Sequence, residues 1–427
     1  MKKITLPHVH KIVGDAGFFA KITKKGEIKD LKIQVLEGLR QIEGILIGRK
    51  VEEVPVVVSR ICGICPVVHT LNTCRALEKI LKIKPSLQTT LLRKLLLCSQ
   101  IIQSHTLHLF FLTLPDFLDI KKESDLLKRF KKEAKATLKI RDFSLSIIKL
   151  IGGRTVHPIS SQIGKIPKIP KREELKKILK EWEKVFEETL YLMEIFKKIE
   201  YPSLKRRTIF TSLYLSKNYP YYEGKFIKAG GKKSSVAHFY SNEIEENFKE
   251  FPVKRVKYKG KTYMLGALAR LKNNKQNLSS FAKKFLESFL KERKLKEKDF
   301  FENVFYNNFA QAVEILHFLE ELRDLILEIL EKVSFKEEKV KIFLQKGSAL
   351  SAMEAPRGTL FTYFETNKEG RIINCNIITP TAQFLNNLEE DIKAFLSFHK
   401  KLSKKEKIEK VKSLIRVYDP CISCAVH

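Results

Sequence analysis

Four of the seven cysteines in this 427-residue chain form two Cys-x-x-Cys pairs, and the pairs stand near opposite ends. The first lies in Arg60-Ile61-Cys62-Gly63-Ile64-Cys65-Pro66-Val67-Val68-His69, and the second in Asp419-Pro420-Cys421-Ile422-Ser423-Cys424-Ala425-Val426-His427. Two thiolates three positions apart can reach one metal from a tight turn, with Gly63 letting the first loop bend. Four soft thiolates select zinc, an iron–sulfur cluster or another thiophilic transition metal. Structural zinc usually takes its ligands from one small module. Here 356 positions separate Cys65 from Cys421. A site shared by both pairs must therefore close the chain end to end and sit in the middle of the fold, sealed from water. The odd cysteine count argues against a disulfide framework. Cys74, Cys98 and Cys375 carry no motif and read as small buried hydrophobes.

The intervening chain can build such a core. Hydrophobic residues make up 44% and charged residues 30%, with 18 Gly and 14 Pro, which excludes collagen-like and disordered classes. The net charge of +32 reads as a lysine-rich solvated surface, as in thermophiles, or as partner docking. No basic stripe is interleaved with aromatics, so no nucleic acid is expected. Met1 to His10 has two lysines and no apolar run, unlike a secretory signal. Leu95 to Pro115 is long and uncharged enough for a membrane span. It carries Gln100, Gln103, Ser104, His105 and His108, however, which are costly in lipid, so a buried core helix is expected and no transmembrane segment.

The predicted fold class is mainly α with smaller β regions (α+β), a central bundle of long helices with peripheral sheets. One unit over 1–427 is expected. Within it, 1–84 reads as a β-rich region with the first cysteine motif, strand-rich to 58 with a turn at Lys24-Lys25-Gly26-Glu27. Residues 85–200 read as helical core, apolar at spacings of three and four over Leu91–Leu114, Asp125–Leu150 and Arg172–Ile199. Residues 201–270 read as a peripheral α+β region, with β-type runs such as Phe251–Met264, and 271–335 as helical core again. The C-terminal region 336–427 should hold strands over Gly358–Thr379, one helix over Leu388–Leu402 and an extended tail from Leu414. Gly230-Gly231-Lys232-Lys233-Ser234 lacks the upstream glycine spacing of a phosphate loop.

With these motifs, the chain resembles the large, catalytic subunit of a nickel–iron hydrogenase. The resemblance covers essentially the whole length, with matches at Glu43–Arg49, Gln103–His108, Gly152–Pro158, Glu354–Gly358 and Thr379-Pro380-Thr381. It implies that Cys62, Cys65, Cys421 and Cys424 bind nickel. Cys62 and Cys421 would be terminal ligands, and Cys65 and Cys424 would bridge to an iron carrying carbon monoxide and cyanide. It further implies that Cys421 takes the proton when H2 is split, and that Arg357 lies over the open metal face. Thr381 would donate to a cyanide, and His69 to a bridging sulfur. Glu43 and His427 would hold Mg2+ or a similar divalent ion.

One position departs from the family pattern. Where a glutamate usually opens the proton path, Lys11-Ile12-Val13-Gly14-Asp15 has Val13, so either Asp15, Glu37 or a water chain substitutes or turnover is slowed. The competing reading is a catalytically inactive, hydrogenase-like relay or structural subunit; a zinc-stapled binding protein is the third. The chain has no further cysteine set and no dinucleotide-binding glycine pattern. Electrons should therefore leave through an iron–sulfur small subunit, with further electron-transfer subunits beyond it. Gln103-Ser104-His105, Ile372–Thr379 and Ala425-Val426-His427 resemble the soluble branches of the family, which implies a cytoplasmic location.

Overall fold

A computed structural model describes residues 2–23, 28–120, 122–247 and 252–427. Four long helices, Leu87–Leu107, Lys131–Gly152, Arg172–Lys198 and Asn307–Lys332, pack on one another as the central bundle. Their sequences explain this. Arg172–Lys198 is amphipathic, burying Leu175, Ile178, Trp182, Val185 and Phe186 on one side. Asn307–Lys332 and Leu87–Leu107 are buried on nearly every face over most of their length, as all-round apolar helices must be. The span Leu87–Phe117 is long and apolar enough to cross a membrane, but 83% of its apolar window is buried inside the fold.

Sheets surround the bundle. β1 (Lys2–Leu6), β2 (Ala16–Ile22) and β3 (Ile28–Val35) form an antiparallel sheet in that order. β4 (Ile209–Tyr214), β5 (Phe226–Ala229), β6 (Lys232–Ser235), β7 (Ile244–Asn247), β8 (Arg255–Tyr258) and β9 (Tyr263–Met264) follow. They make a four-stranded sheet, β6-β5-β4-β9, and the hairpin β7-β8. β10 (Gly347–Ala355), β11 (Gly358–Thr366) and β12 (Ile372–Ile378) make a third antiparallel sheet. The helix Pro66–Ile80 packs on β10 and β11, and the helix Pro380–Phe398 lies against β3, β8 and β9. Buried apolar side chains form one continuous cluster from Ile4 to Val426.

Three expectations need correction. Residues 36–58 are not strands: Ile42–Leu46 and Val54–Val58 are short helices. The Val-Pro-Val-Val-Val run is β-prone, but Pro55 suits a first helical turn and packing on the 66–80 helix overrides propensity. The tail from Leu414 is not extended: Lys404–Val417 is a helix, and Ile422–Ala425 a further turn. A capping box starts the longer helix, with Ser403 and Glu406 exchanging side-chain and backbone hydrogen bonds. Third, the β-type run read over Phe251–Met264 is interrupted, with strands only at β8 and β9. Phe251 itself and the turn expected at 24–27 lie outside the described residues. Gly230-Gly231 is the tight turn from β5 to β6, both at positive φ, and not a phosphate loop.

A buried ion pair ties helix 66–80 to helix 87–107: Arg93 Nη2 and Nη1 reach Glu78 at 2.6 and 3.1 Å, with both side chains buried. Arg93→Met strands the Glu78 carboxylate in the core, which costs about 3–5 kcal/mol. The purified protein is therefore expected to melt several degrees lower; an unchanged melting temperature would contradict this.

Candidate metal centre

The two cysteine pairs meet. Cys62 Sγ lies 3.7 Å from Cys421 Sγ, and Cys65 Sγ lies 3.4 Å from Cys424 Sγ. All four sulfurs fall within 4.8 Å of one another, and all four residues are buried. No such group of His, Cys, Asp or Glu other than this one occurs among the described residues. Cys62 is held well below the ordinary thiol range by hydrogen bonds from Cys421, Cys424 and Cys65, whereas burial pushes Cys424 up.

Local structure holds each pair. The first turns at Gly63, which needs no positive φ and has open space around it, so the bend does not depend on glycine. Cys65 then caps the helix Pro66–Ile80. The amides of Val67 and Val68 donate to Gln100 Oε1 at 2.6 and 3.3 Å, and Gln103 Nε2 donates to the Ile64 carbonyl at 2.9 Å. The second pair is anchored by strand-like pairing of Val13 with Cys421, Ile422 N–H donating to Val13 O at 2.7 Å. Arg40 links the two pairs, donating to the carbonyls of Arg60 (3.1 Å), Ile61 (2.6 Å) and Ser423. Arg40, Gln100 and Gln103 were not singled out as site residues from the sequence. The sequence signal at Gln100 is a polar residue in an otherwise apolar helix, and Gln103 lies besides in a stretch that matches the family.

Cys65, Cys421 and Cys424 line one small cavity with His69, Arg357 and Thr381. Arg357 stands in the two-residue loop between β10 and β11, where Ala355 pairs with Gly358. Gly358 has a φ of 132°, and a Cβ there would meet Leu265 Cβ at 2.6 Å, so this hairpin requires glycine. Arg357 Nε and Nη2 donate to Asp419 O (2.6 Å) and Asp419 Oδ1 (2.8 Å). Its Nη1 is buried with no partner among the described residues. The loop is held from behind by Arg270, which is fully buried. Arg270 pairs with Glu314 at 2.6 Å and Glu354 at 3.0 Å, and donates to the carbonyls of Ala355 and Pro356, both at 2.9 Å. Burial raises Glu314, but Arg270 outweighs it and leaves that carboxyl at about 2.

Thr381 Oγ1 accepts from Cys421 N–H at 3.0 Å, which leaves its own hydrogen to donate. His69 reaches the cavity but not a sulfur. Its Nδ1 is buried without a partner among the described residues, and burial lowers its pKa to about 4. Glu43 and His427 come together away from the thiols, with Glu43 Oε1 and His427 Nε2 3.8 Å apart. Lys254 stands with them, its Nζ 2.6 Å from Glu43 Oε1. Burial raises Glu43, yet hydrogen bonding to His427 and the Lys254 charge prevail and hold it at about 2.

The family model described as nickel-dependent hydrogenase matches residues 40–187 and 211–427. The alpha subunit of sulfhydrogenase 1 from Pyrococcus furiosus is 32% identical, covering 99% of this chain and 97% of that one. One subunit of the F420-non-reducing hydrogenase of Methanothermobacter thermautotrophicus is 28% identical over 100% of this chain and 95% of that one. Among solved structures, an NAD+-reducing [NiFe]-hydrogenase in the H2-reduced state superimposes with a TM-score of 0.87 at 22% identity, covering all of both chains. The Ni-Fe-Se hydrogenase from D. vulgaris Hildenborough gives 0.80 at 23%, again over all of both chains.

Proposed function

We propose, since this chain belongs to the nickel-dependent hydrogenase family, that its four convergent thiols hold the nickel. The protein is a large, catalytic hydrogenase subunit, an oxidoreductase acting on H2. An inactive relay subunit is not favoured, because the relatives are hydrogenase subunits. Convergence of four soft donors from opposite chain ends, all within 4.8 Å, is the observation that carries the ligand assignment. Cys62 and Cys421 would be terminal ligands, and Cys65 and Cys424 would bridge to an iron bearing carbon monoxide and cyanide. When bound, this centre supplies a redox-active, polarising site for H2. Glu43 and His427, expected to hold Mg2+ or a similar divalent ion, stand 3.8 Å apart, with Lys254 Nζ 2.6 Å from Glu43 Oε1.

The chain's own groups then do the following. Cys421 Sγ takes the proton released on splitting. Arg357 lines the cavity, its Nη1 without a partner among the described residues, and is fixed there by Asp419 and the Arg270 clamp. With the centre bound, Thr381 would donate its hydroxyl to a cyanide, and His69, which makes no hydrogen bond to a sulfur among the described residues, would have to turn an N–H to a bridging sulfur. For proton exit, Glu37 takes over from the glutamate that Val13 lacks. Glu37 Oε1 accepts from Ser423 Oγ at 3.1 Å, between the two C-terminal cysteines, and from Asp15 N–H at 2.9 Å. The Asp15 carboxylate instead faces His8 at 3.0 Å near the surface, so Glu37 carries the inner step.

Electrons leave through an iron–sulfur small subunit, with further electron-transfer subunits beyond it. Exposed Ile45, Ile47, Val56, Val156 and Ile159 near the first motif support docking there. His157 Nδ1, 2.8 Å from Ser59 O, holds the 153–159 loop against that motif. A permanent interface of this kind buries more than about 2,000 Å². The local likeness of Gln103-Ser104-His105 and Ala425-Val426-His427 to soluble branches supports a cytoplasmic location.

Metal analysis of the purified complex should find nickel with iron, and infrared spectra should show carbon monoxide and cyanide stretches; zinc, or no metal, would overturn the assignment. Arg357→Lys keeps the charge and removes the planar fork. Hydrogen uptake should fall by about 10²–10³ with nickel loading unchanged, and wild-type uptake would make Arg357 merely structural. Glu37→Gln should slow uptake by about 10²-fold, as loss of a proton-transfer group does, again with nickel retained. Full activity in Glu37→Gln would send the proton by another route.

A further inference from the structure

The family resemblance anticipates a divalent cation between Glu43 and His427. Such an ion needs oxygens at about 2.1 Å and keeps several waters. The oxygens in question are already engaged by an ammonium. Lys254 Nζ donates to Glu43 Oε1 at 2.6 Å, Asn376 Oδ1 at 2.6 Å and the Ile377 carbonyl at 3.1 Å. Glu43 Oε1 also accepts from Ile377 N–H at 2.6 Å. Both ring nitrogens of His427 face carbonyl oxygens, Nδ1 that of Cys424 at 2.6 Å and Nε2 that of Ile377 at 2.9 Å. A dication on the same two oxygens would also stand against a lysine only 11% exposed, with little solvent to screen the repulsion.

We propose that the Lys254 ammonium is a built-in cation that takes the place of the expected divalent ion and pins the C-terminal cysteine segment. The geometry explains what it joins. Lys254 precedes β8, Glu43 lies on the helix Ile42–Leu46, and Asn376 and Ile377 are in β12. Through the Ile377 carbonyl the cluster reaches His427, and through His427 it reaches the Cys424 carbonyl, one residue's backbone from a thiol of the metal centre. Asn376 is in turn oriented by Glu246 Oε1, which accepts from its Nδ2 at 2.7 Å, so its carbonyl oxygen faces the lysine. A covalently attached cation cannot be lost to a chelator.

This rests on the nickel assignment only for the expectation of an ion, and nickel measured in the same sample separates the two. Elemental analysis of the chelator-treated, purified complex should find nickel and iron but no stoichiometric magnesium, calcium or further iron. Melting should be the same in EDTA and in millimolar Mg2+. About one tightly held magnesium or calcium per chain in the wild-type protein would overturn the proposal. Lys254→Ala should melt at least about 5 °C lower than wild type in EDTA, as loss of a buried charge partner does. Wild-type melting in that variant would also overturn it. Should the variant fail to fold, the wild-type metal content decides alone.

Discussion

Cys62 and Cys421 are 359 positions apart in sequence and 3.7 Å apart in space, and the rest of the architecture serves that closure. Closing a flexible loop of that length costs roughly 5 kcal/mol, because the penalty grows only with the logarithm of length. The larger demand is accuracy, since four sulfurs must share one point. Neither motif can do this alone. Short backbone pairing between Val13 and Cys421 and the reach of Arg40 across both motifs bring the ends into register. The helix bundle supplies a rigid wall behind the first pair through Gln100 and Gln103.

A second demand is to hold one guanidinium beside the thiols while burying it. The solution is a chain of buried charges behind it, with Glu314, Glu354 and Arg270 each held by several partners. Glu314 takes Arg270 on both oxygens, with Tyr219 at 2.6 Å on one and His105 at 2.9 Å on the other. Glu354 takes Arg270, the Leu213 amide at 2.7 Å and the Thr359 hydroxyl at 2.7 Å. Buried ion pairs contribute little net stability against apolar replacements. Their value here is positional, because each fixed hydrogen bond removes a way for the 355–358 hairpin to move. A parallel set, His108 to Gln311 at 2.7 Å and Gln311 to Asp419 at 3.4 Å, orients the carboxylate that holds Arg357.

Two positions show one requirement met by different chemistry. Beside Val13, Gly14 has a φ of 93°, and a Cβ there would meet Glu37 Oε1 at 2.4 Å, so the glycine makes room for a carboxylate from another strand's end. Beside His427, a lysine from the β7–β8 hairpin supplies positive charge where a free ion was anticipated. In both cases a group distant in sequence arrives at a place whose electrostatic need is set by its neighbours.

The amino-acid sequence alone determined the donors and the scaffold class. Paired cysteines announce a soft-metal site because spacing and residue type are local properties. The long apolar periodicities of 87–107, 172–198 and 307–332 announce a bundle for the same reason. Local patterns misled where packing outweighs propensity, at the β-branched run of Val54–Val58 and in the tail that is helical over Lys404–Val417. Only the tertiary structure decided that the two pairs meet, that Arg40 and Arg270 hold them and the Arg357 hairpin, and that Lys254 sits among Glu43, Asn376 and Ile377. Those relations join residues far apart in the chain, and in a single sequence such contacts leave no periodic trace: they exist only once the core has closed.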